Sequence, residues 1–369
     1  MTEYTTLGNL ISPAKVIRCG NGSYPVLSMT MHDGIVLQSD RFKKSLASAD
    51  QSDYKVVKYG QLVVGFPIDE GVLYIQKATD EGIMSPAYNV WDVDTLKVEA
   101  DYLELCLHSP QAMQYYCDKL RGSTARRRSI PTAELLALPI RLPTLEEQRE
   151  KLKMMAKMNA LIKDREQQLD LADQLVKSRF IEMFGDYDLA HPESDWKPIA
   201  EIGKVVGGST PKTNVNEYWD GEYRWITPAE LEADSGYIYD SVRKLTKAGV
   251  NSCSLQEMPI HTVILTSRAP IGKVAIAGAT FYCNQGFKNI ICKDEIVPRY
   301  LYTLLLLNTE YLNSLGRGAT FKEISKYIVE NIRIPVPSLE NQTQFTTFVE
   351  QIDKSKYHGE FAFKKEVAA

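Results

Sequence analysis

The sequence predicts an α+β protein: two mixed α/β units in a pseudo-two-fold repeat, joined by long helices that pair as an antiparallel coiled coil. Three observations predict it. Residues 138–186 contain about forty consecutive positions without glycine or proline, rich in Leu, Met, Lys, Glu and Gln. The segment leading into that stretch recurs without gaps some 190 residues later. Each copy follows a series of short Val-, Ile- and Tyr-rich segments separated by Gly, Asp or Ser, which read as strands.

The long stretch carries apolar residues in one phase at Leu152, Met155, Ile162, Leu169, Val176, Phe180 and Met183, interrupted in the same phase by Asn159, Glu166 and Asp173. That is an imperfect heptad stripe on a helix. At 1.5 Å rise per residue the helix extends roughly 60 Å. Pro139 and Pro143 punctuate its start, and Phe184-Gly185-Asp186 supplies a glycine terminus.

The repeat is read by sliding 332–363 onto this stretch. Pro143 falls on Pro337, Leu145 on Leu339, Glu146 on Glu340 and Gln148 on Gln342. Backwards in the same register, Gly122 meets Gly316, Ala125 meets Ala319, Ile130 meets Ile324 and Ile140 meets Ile334. A Pro-x-Leu-Glu-x-Gln motif in both copies indicates an internal duplication, a globular unit followed by a helix, twice. Four regions follow: a first unit over 1–137, a helical spacer over 138–186, a second unit over 187–337 and a shorter spacer over 338–369. Phe363 falls on Leu169 and Ala369 on Leu175, so the second spacer is the shorter of the two.

Length and composition accommodate two ordinary domains: 369 residues, 44% hydrophobic and 24% charged. The longest apolar run, Leu301–Leu307, is too short to span a bilayer, and MTEYTTLGNL lacks a basic region followed by an apolar core, so a cytoplasmic protein with no membrane partner is expected. The six cysteines form no Cys-x-x-Cys pair and the five histidines are scattered, which points to reduced core thiols and no metal site. Net charge is −4, so any nucleic-acid contact rests on local clusters and not on overall charge.

In the first unit, strands are predicted over Pro25–Met29, Gly34–Gln38, Lys55–Lys58, Gln61–Phe66 and Val72–Gln76. A helix over Asp101–Arg121 is interrupted or restarted at Pro110. A cationic small-residue turn, 122–129, then carries Arg126, Arg127 and Arg128. In the second unit, strands are predicted over Tyr223–Thr227, Gly236–Tyr239, Thr262–Thr266, Gly272–Ala277 and Asn289–Cys292, with a helix over Val297–Leu315. The framework is shared and the loops differ, the usual arrangement when one scaffold binds two different sequences or ligands.

No catalytic or cofactor motif emerges. Ser85-Pro86-Ala87-Tyr88 lacks the second proline of the loop that orients a target amine in amino-methyltransferases, and no glycine-rich strand-to-helix turn precedes it. Gly20-Asn21-Gly22 is a turn without the third glycine of a dinucleotide fingerprint. The polar loops of the second unit are a better match to DNA. Ser209, Thr210 and Lys212, then Thr266, Ser267 and Arg268, then Asn284, Gln285 and Lys288 offer the side chains that suit base edges and phosphates. Arg126–Arg128 in one repeat and Arg317, Thr320 and Lys322 in the other offer phosphate-neutralising turns. Trp219, Tyr223 and Trp225 read as core. Two readers on a rigid helix predict a split site, since successive major-groove sites on one face of B-DNA lie about 34 Å apart.

With these residues in view, the chain resembles the specificity (S, HsdS) subunits of type I restriction–modification systems. The carriers are the Pro-x-Leu-Glu-x-Gln helix starts, the helix exit Phe180–Asp186, and Gly207–Lys212, Tyr218–Gly221, Trp225–Thr227, Thr266–Gly272, Asn284–Gly286 and Gly318–Thr320. The resemblance implies two target recognition domains, each reading half of a bipartite double-stranded DNA sequence. It implies a non-catalytic chain that recruits two modification (M) subunits and restriction (R) subunits. S-adenosylmethionine, ATP and Mg belong to those partners, and this chain binds no cofactor. The first unit lacks the GGSTPK and TSRAPIG wording. A coiled-coil assembly scaffold without DNA specificity is the competing expectation, and a self-sufficient methyltransferase or nuclease a third.

Overall fold

The computed structural model describes residues 3–41, 50–120, 128–232, 236–318 and 322–368, with side chains to 356. The chain divides into two compact units, Met1–Ile162 and Lys163–Ala369. The division falls inside one continuous helix, Leu145–Phe184.

In the first unit the strands are β1 (Glu3–Thr6), β2 (Ile11–Pro13), β3 (Leu27–Met29), β4 (Ile35–Leu37), β5 (Lys55–Lys58), β6 (Leu62–Val64), β7 (Leu73–Ile75), β8 (Glu81–Met84), β9 (Asn89–Val93) and β10 (Pro139–Leu142). A four-stranded sheet runs β2-β9-β6-β7, with separate pairs β3-β4, β5-β8 and β1-β10. All five predicted strands are present; β1, β2, β8, β9 and β10 are additional. Pro110 restarts the predicted helix. Ala100–Leu107 and Pro110–Lys119 are distinct helices, the second with proline in its first turn and the Ser109 hydroxyl accepting from Ala112 N–H at 3.2 Å. Leu62, Leu73, Trp91, Leu103, Leu107 and Tyr116 fill the core between sheet and helices.

In the second unit the strands are β11 (Lys197–Pro198), β12 (Gly203–Val206), β13 (Trp219–Ile226), β14 (Tyr237–Ile238), β15 (Arg243–Leu245), β16 (Val263–Ser267), β17 (Ile271–Ala277), β18 (Tyr282–Cys283), β19 (Asn289–Cys292) and β20 (Arg333–Ile334). A five-stranded sheet runs β12-β19-β16-β17-β14 and a three-stranded sheet β15-β13-β18. The predicted helix 297–315 is two helices, Pro298–Leu307 and Thr309–Ser314, parted at Asn308. The Asn308 side chain explains the break: its Nδ2 donates to Leu304 O and its Oδ1 accepts from Leu189 N–H, tying the helix end to the preceding linker. The apolar run Leu301–Leu307 belongs to the first of these helices, and no described helix is long and apolar enough to cross a membrane.

The long helix begins with a reciprocal cap, in which Thr144 N–H donates to Glu147 Oε2 at 2.8 Å and Glu147 N–H to Thr144 Oγ1 at 3.3 Å. It ends at Phe184, followed by Gly185 at φ 94°. The second long helix, Leu339–Ala368, lies antiparallel to its later half. Phe345 packs on Phe180 and Phe184, Phe348 lies under Arg179, and Lys356 pairs with Asp173. Burial of the heptad stripe is uneven. Phe180 is buried and Val176 and Met183 are partly so, whereas Ile162 and Leu169 stay exposed.

The Pro-x-Leu-Glu-x-Gln motif has the same role in both units. Gln148 is fully buried; its Nε2 donates to Pro143 O at 2.8 Å and Lys97 O at 3.3 Å, and its Oε1 accepts from Glu99 N–H at 2.9 Å. Gln342, also fully buried, donates to Pro337 O at 2.8 Å and Glu295 O at 3.2 Å and accepts from Val297 N–H at 2.8 Å. Tyr102 and Tyr300 each donate to a backbone carbonyl just before the motif, Arg141 O and Pro335 O, both at 3.1 Å. The glutamine amide thus stitches each long helix to the globular unit preceding it.

Candidate nucleic-acid interface

Four polar stretches of the second unit, distant in sequence, are drawn together by backbone hydrogen bonds. Ser209 N–H donates to Cys283 O at 3.0 Å, Ser267 N–H to Gly286 O at 2.8 Å, Lys288 N–H to Leu265 O at 2.9 Å and Ile324 N–H to Ser267 O at 3.0 Å. Isolated bridges Thr266–Phe287 and Arg317–Glu323 complete the join. The loops after β12, at the β16–β17 turn, after β18 and after the Thr309–Ser314 helix therefore form one cluster. Gly208 makes it possible, because a Cβ there would lie 2.0 Å from Cys283 O. Burial pushes the Cys283 thiol up to about 12, so this residue serves the junction as a neutral core group.

The predicted residues take different parts. Thr266 and Ser267 are buried. Thr266 Oγ1 donates to Pro270 O at 2.8 Å and accepts from Lys273 N–H at 2.9 Å, so this hydroxyl holds the turn that carries Arg268. Ser267 Oγ accepts from Lys288 Nζ at 3.2 Å. Arg268 and Lys288 both face Glu323, at 3.8 Å and 3.2 Å. Asn284 Oδ1 accepts from Gly286 N–H at 2.8 Å and shapes its own loop. Exposed Gln285 accepts from Thr210 Oγ1 at 2.7 Å, linking two of the loops through side chains. Lys212, Arg317 and Lys322 are exposed at the rim, and a cavity lies between Arg268, Pro270, Asn313, Lys322 and Glu323.

In the first unit Arg128 is engaged by Asp69 at 3.2 Å and by Glu70, and its carbonyl accepts from Ile68 N–H at 3.0 Å. There it ties the turn to the loop before β7. Arg126, Arg127 and Thr320 lie outside the described residues.

Three features were not read from the sequence. Trp219 and Trp225, expected only as core, also anchor the GGSTPK loop. Their Nε1–H groups donate to Lys212 O at 3.2 Å and Ser209 O at 3.1 Å. Glu323 places a carboxylate among the cations. Arg243, at the start of β15, lies cross-strand from Trp225 and stacks over Trp219 with its guanidinium 3.5 Å from the ring centroid and 5.6 Å from that of Trp225. The two tryptophans lie on β13 either side of a register shift, with their rings 5.1 Å apart, and nothing local in the sequence pairs them with Arg243. The assembled surface offers amides, hydroxyls, a planar guanidinium and ammonium groups, a donor and acceptor set suited to base edges and phosphates. Among the described residues no cluster of three or more His, Cys, Asp or Glu side chains is placed to hold a metal.

Residues 193–360 match the family described as type I restriction modification DNA specificity domain. The type I restriction enzyme MjaIX specificity subunit of Methanocaldococcus jannaschii is 44% identical over 185 residues, 48% of this chain and 43% of the relative. The EcoR124I/EcoR124II specificity subunit of Escherichia coli is 26% identical over 171 residues, 44% of this chain and 41% of the relative. The chain thus spans less than half the length of these curated relatives. The fold is similar to that of a type I restriction–modification system S subunit from M. genitalium, with a TM-score of 0.56 and 13% identity over 100% of this chain and 94% of that one.

Proposed function

We propose that this chain, which belongs to the specificity-subunit family of type I restriction–modification systems, reads a bipartite double-stranded DNA target with a fixed unread gap and recruits modification and restriction subunits to it. The observation that carries the reading is the convergence of the 207–212, 266–272, 284–288 and 317–323 loops on one polar, cationic surface of the second unit. Direct readout needs only a few side chains held in fixed register, and backbone bonds between loops provide that register. The first unit reads the other half-site through loops of different wording. The 40-residue helix is long enough, at roughly 60 Å, to bridge one turn of B-DNA.

In this reading the chain itself carries no reaction. Two modification subunits bring S-adenosylmethionine and methylate adenine, and restriction subunits bring ATP and Mg. The role of this chain is to decide where they act, in the cytoplasm where the DNA is. The test is the adenine methylome of the host with and without the gene. Loss of one bipartite motif on deletion is the expected result, and the motif's gap length calibrates the helix. An unchanged methylome alongside an active modification subunit refutes the proposal.

A further inference from the structure

Cations on this surface differ in what they would give up on meeting DNA. Arg268 and Lys288 face Glu323, and Arg224 faces Asp240 at 3.4 Å. Engaging a nucleic acid with any of these means exchanging an existing carboxylate partner. Arg243 has no carboxylate partner among the described residues; the nearby Asp240 is taken by Arg224 and Lys244. What holds Arg243 is aromatic. Its guanidinium lies over the Trp219 ring, 3.5 Å from the centroid, beside Trp225, and those indoles stand 5.1 Å apart, edge to face. Both indole N–H groups are fixed by the loop that carries Thr210, and Thr210 is bonded to Gln285. The planar fork is therefore set by the same framework that sets the other polar groups.

We propose that Arg243 reads a guanine in the half-site bound by the second unit, presenting both donors of its fork to the base's O6 and N7. Stacking on an aromatic face leaves the in-plane N–H donors of a guanidinium free, and bidentate recognition requires that geometry. It also removes rotamer freedom before binding, so little is lost on contact. The surroundings suit a groove more than a phosphate. Val242, the residue before Arg243, is 86% exposed, an apolar group fit to meet a base edge or thymine methyl. Arg243 lies on β15, an edge strand of the three-stranded sheet, and the major groove admits a two-stranded ribbon of the kind β13 and β15 form.

This inference rests on the DNA-reading function proposed above, and the test separates the two. The full chain and its R243K and R243Q variants are each used to select duplexes from a randomised DNA library, after their thermal unfolding has been compared. Lysine keeps the charge and loses the fork. The expected result is a wild-type motif in which one guanine of one half-site loses its preference in R243K, by roughly 5- to 150-fold against the other bases, with every other position retained. A phosphate contact behaves differently: R243K selects the wild-type motif, and R243Q weakens binding to all sequences evenly while lowering the salt slope by about one. That outcome overturns the assignment. Failure of both variants to fold also overturns it, since the stack is then a structural part of the sheet. If wild type selects no motif, the DNA-reading proposal itself falls.

Discussion

Replacing Gln342 with leucine tests the claim that one buried amide joins the second long helix to its unit. The substitution removes two donated bonds, to Pro337 O and Glu295 O, and one accepted from Val297 N–H. All three partners are backbone groups around a fully buried side chain. Each buried polar group left without a partner costs about 1–3 kcal/mol, so the gross loss is about 3–9 kcal/mol. Burying a leucine returns about 1.5–3 kcal/mol, leaving a net destabilisation of about 4 kcal/mol at the middle of both ranges. That is a large share of the 5–15 kcal/mol typical of a folded domain. Urea unfolding followed by tryptophan fluorescence measures it, because Trp196, Trp219 and Trp225 lie in the second unit and only Trp91 in the first. The same change at Gln148 should shift the Trp91-reported transition instead. A loss below about 1 kcal/mol with an unchanged slope against denaturant would refute the reasoning, for it would mean that the three backbone groups find other partners at no cost.

Three further outcomes are expected. Asp353→Asn strips the carboxylate 2.5 Å from Arg299, whose side chain is 9% exposed; because Asp353 is itself 41% exposed, the loss is about 1–2 kcal/mol in the same urea assay, with the Tyr237 and Tyr302 rings retaining the guanidinium. The second unit should lose stability as pH rises. Burial holds the Cys283 and Cys292 thiols up at about 12, so above the unfolded-state value of 9.0 the unfolded chain binds fewer protons; the stabilisation is complete below pH 9 and is lost progressively towards pH 12. Unfolding midpoints across that range check it, and Cys283→Ala should make the decline shallower. Glu323→Gln releases Arg268 and Lys288 from their shared carboxylate. Affinity for random-sequence duplex should rise severalfold, and the slope of log affinity against log salt should steepen by up to about 2, read by fluorescence anisotropy at several salt concentrations.

Much of the fold was legible because it is written in local patterns. The long helix, its glycine stop, the Pro110 restart and five strands in each unit follow from periodicity and turn residues that act over a few positions. The missed strands are short. β10 and β20 precede the long helices, and β1 and β11 are two to four residues each. Their pairing partners lie over 130 residues away in sequence, and no local window contains that information. The break at Asn308 depends on a bond to Leu189, equally remote.

For the site, residue types told which loops matter but not which side chains face outwards. Thr266 and Ser267 sit in the same motif as Arg268, yet burial assigns the two hydroxyls to holding the turn and leaves the arginine facing a carboxylate. The repeated glutamine was visible as a motif; that it is a buried three-way connector required the surrounding carbonyls. By itself the sequence determined the long helices, the repeated motif that opens them and the polar residue types of the loops in the second unit, since composition and spacing suffice for these. Only the tertiary structure decided that those loops meet, that Glu323 lies among their cations and that Arg243 rests on two tryptophans. Such juxtapositions arise from strand register and loop closure between distant segments, and their energies depend on distance and burial, which a one-dimensional string does not contain.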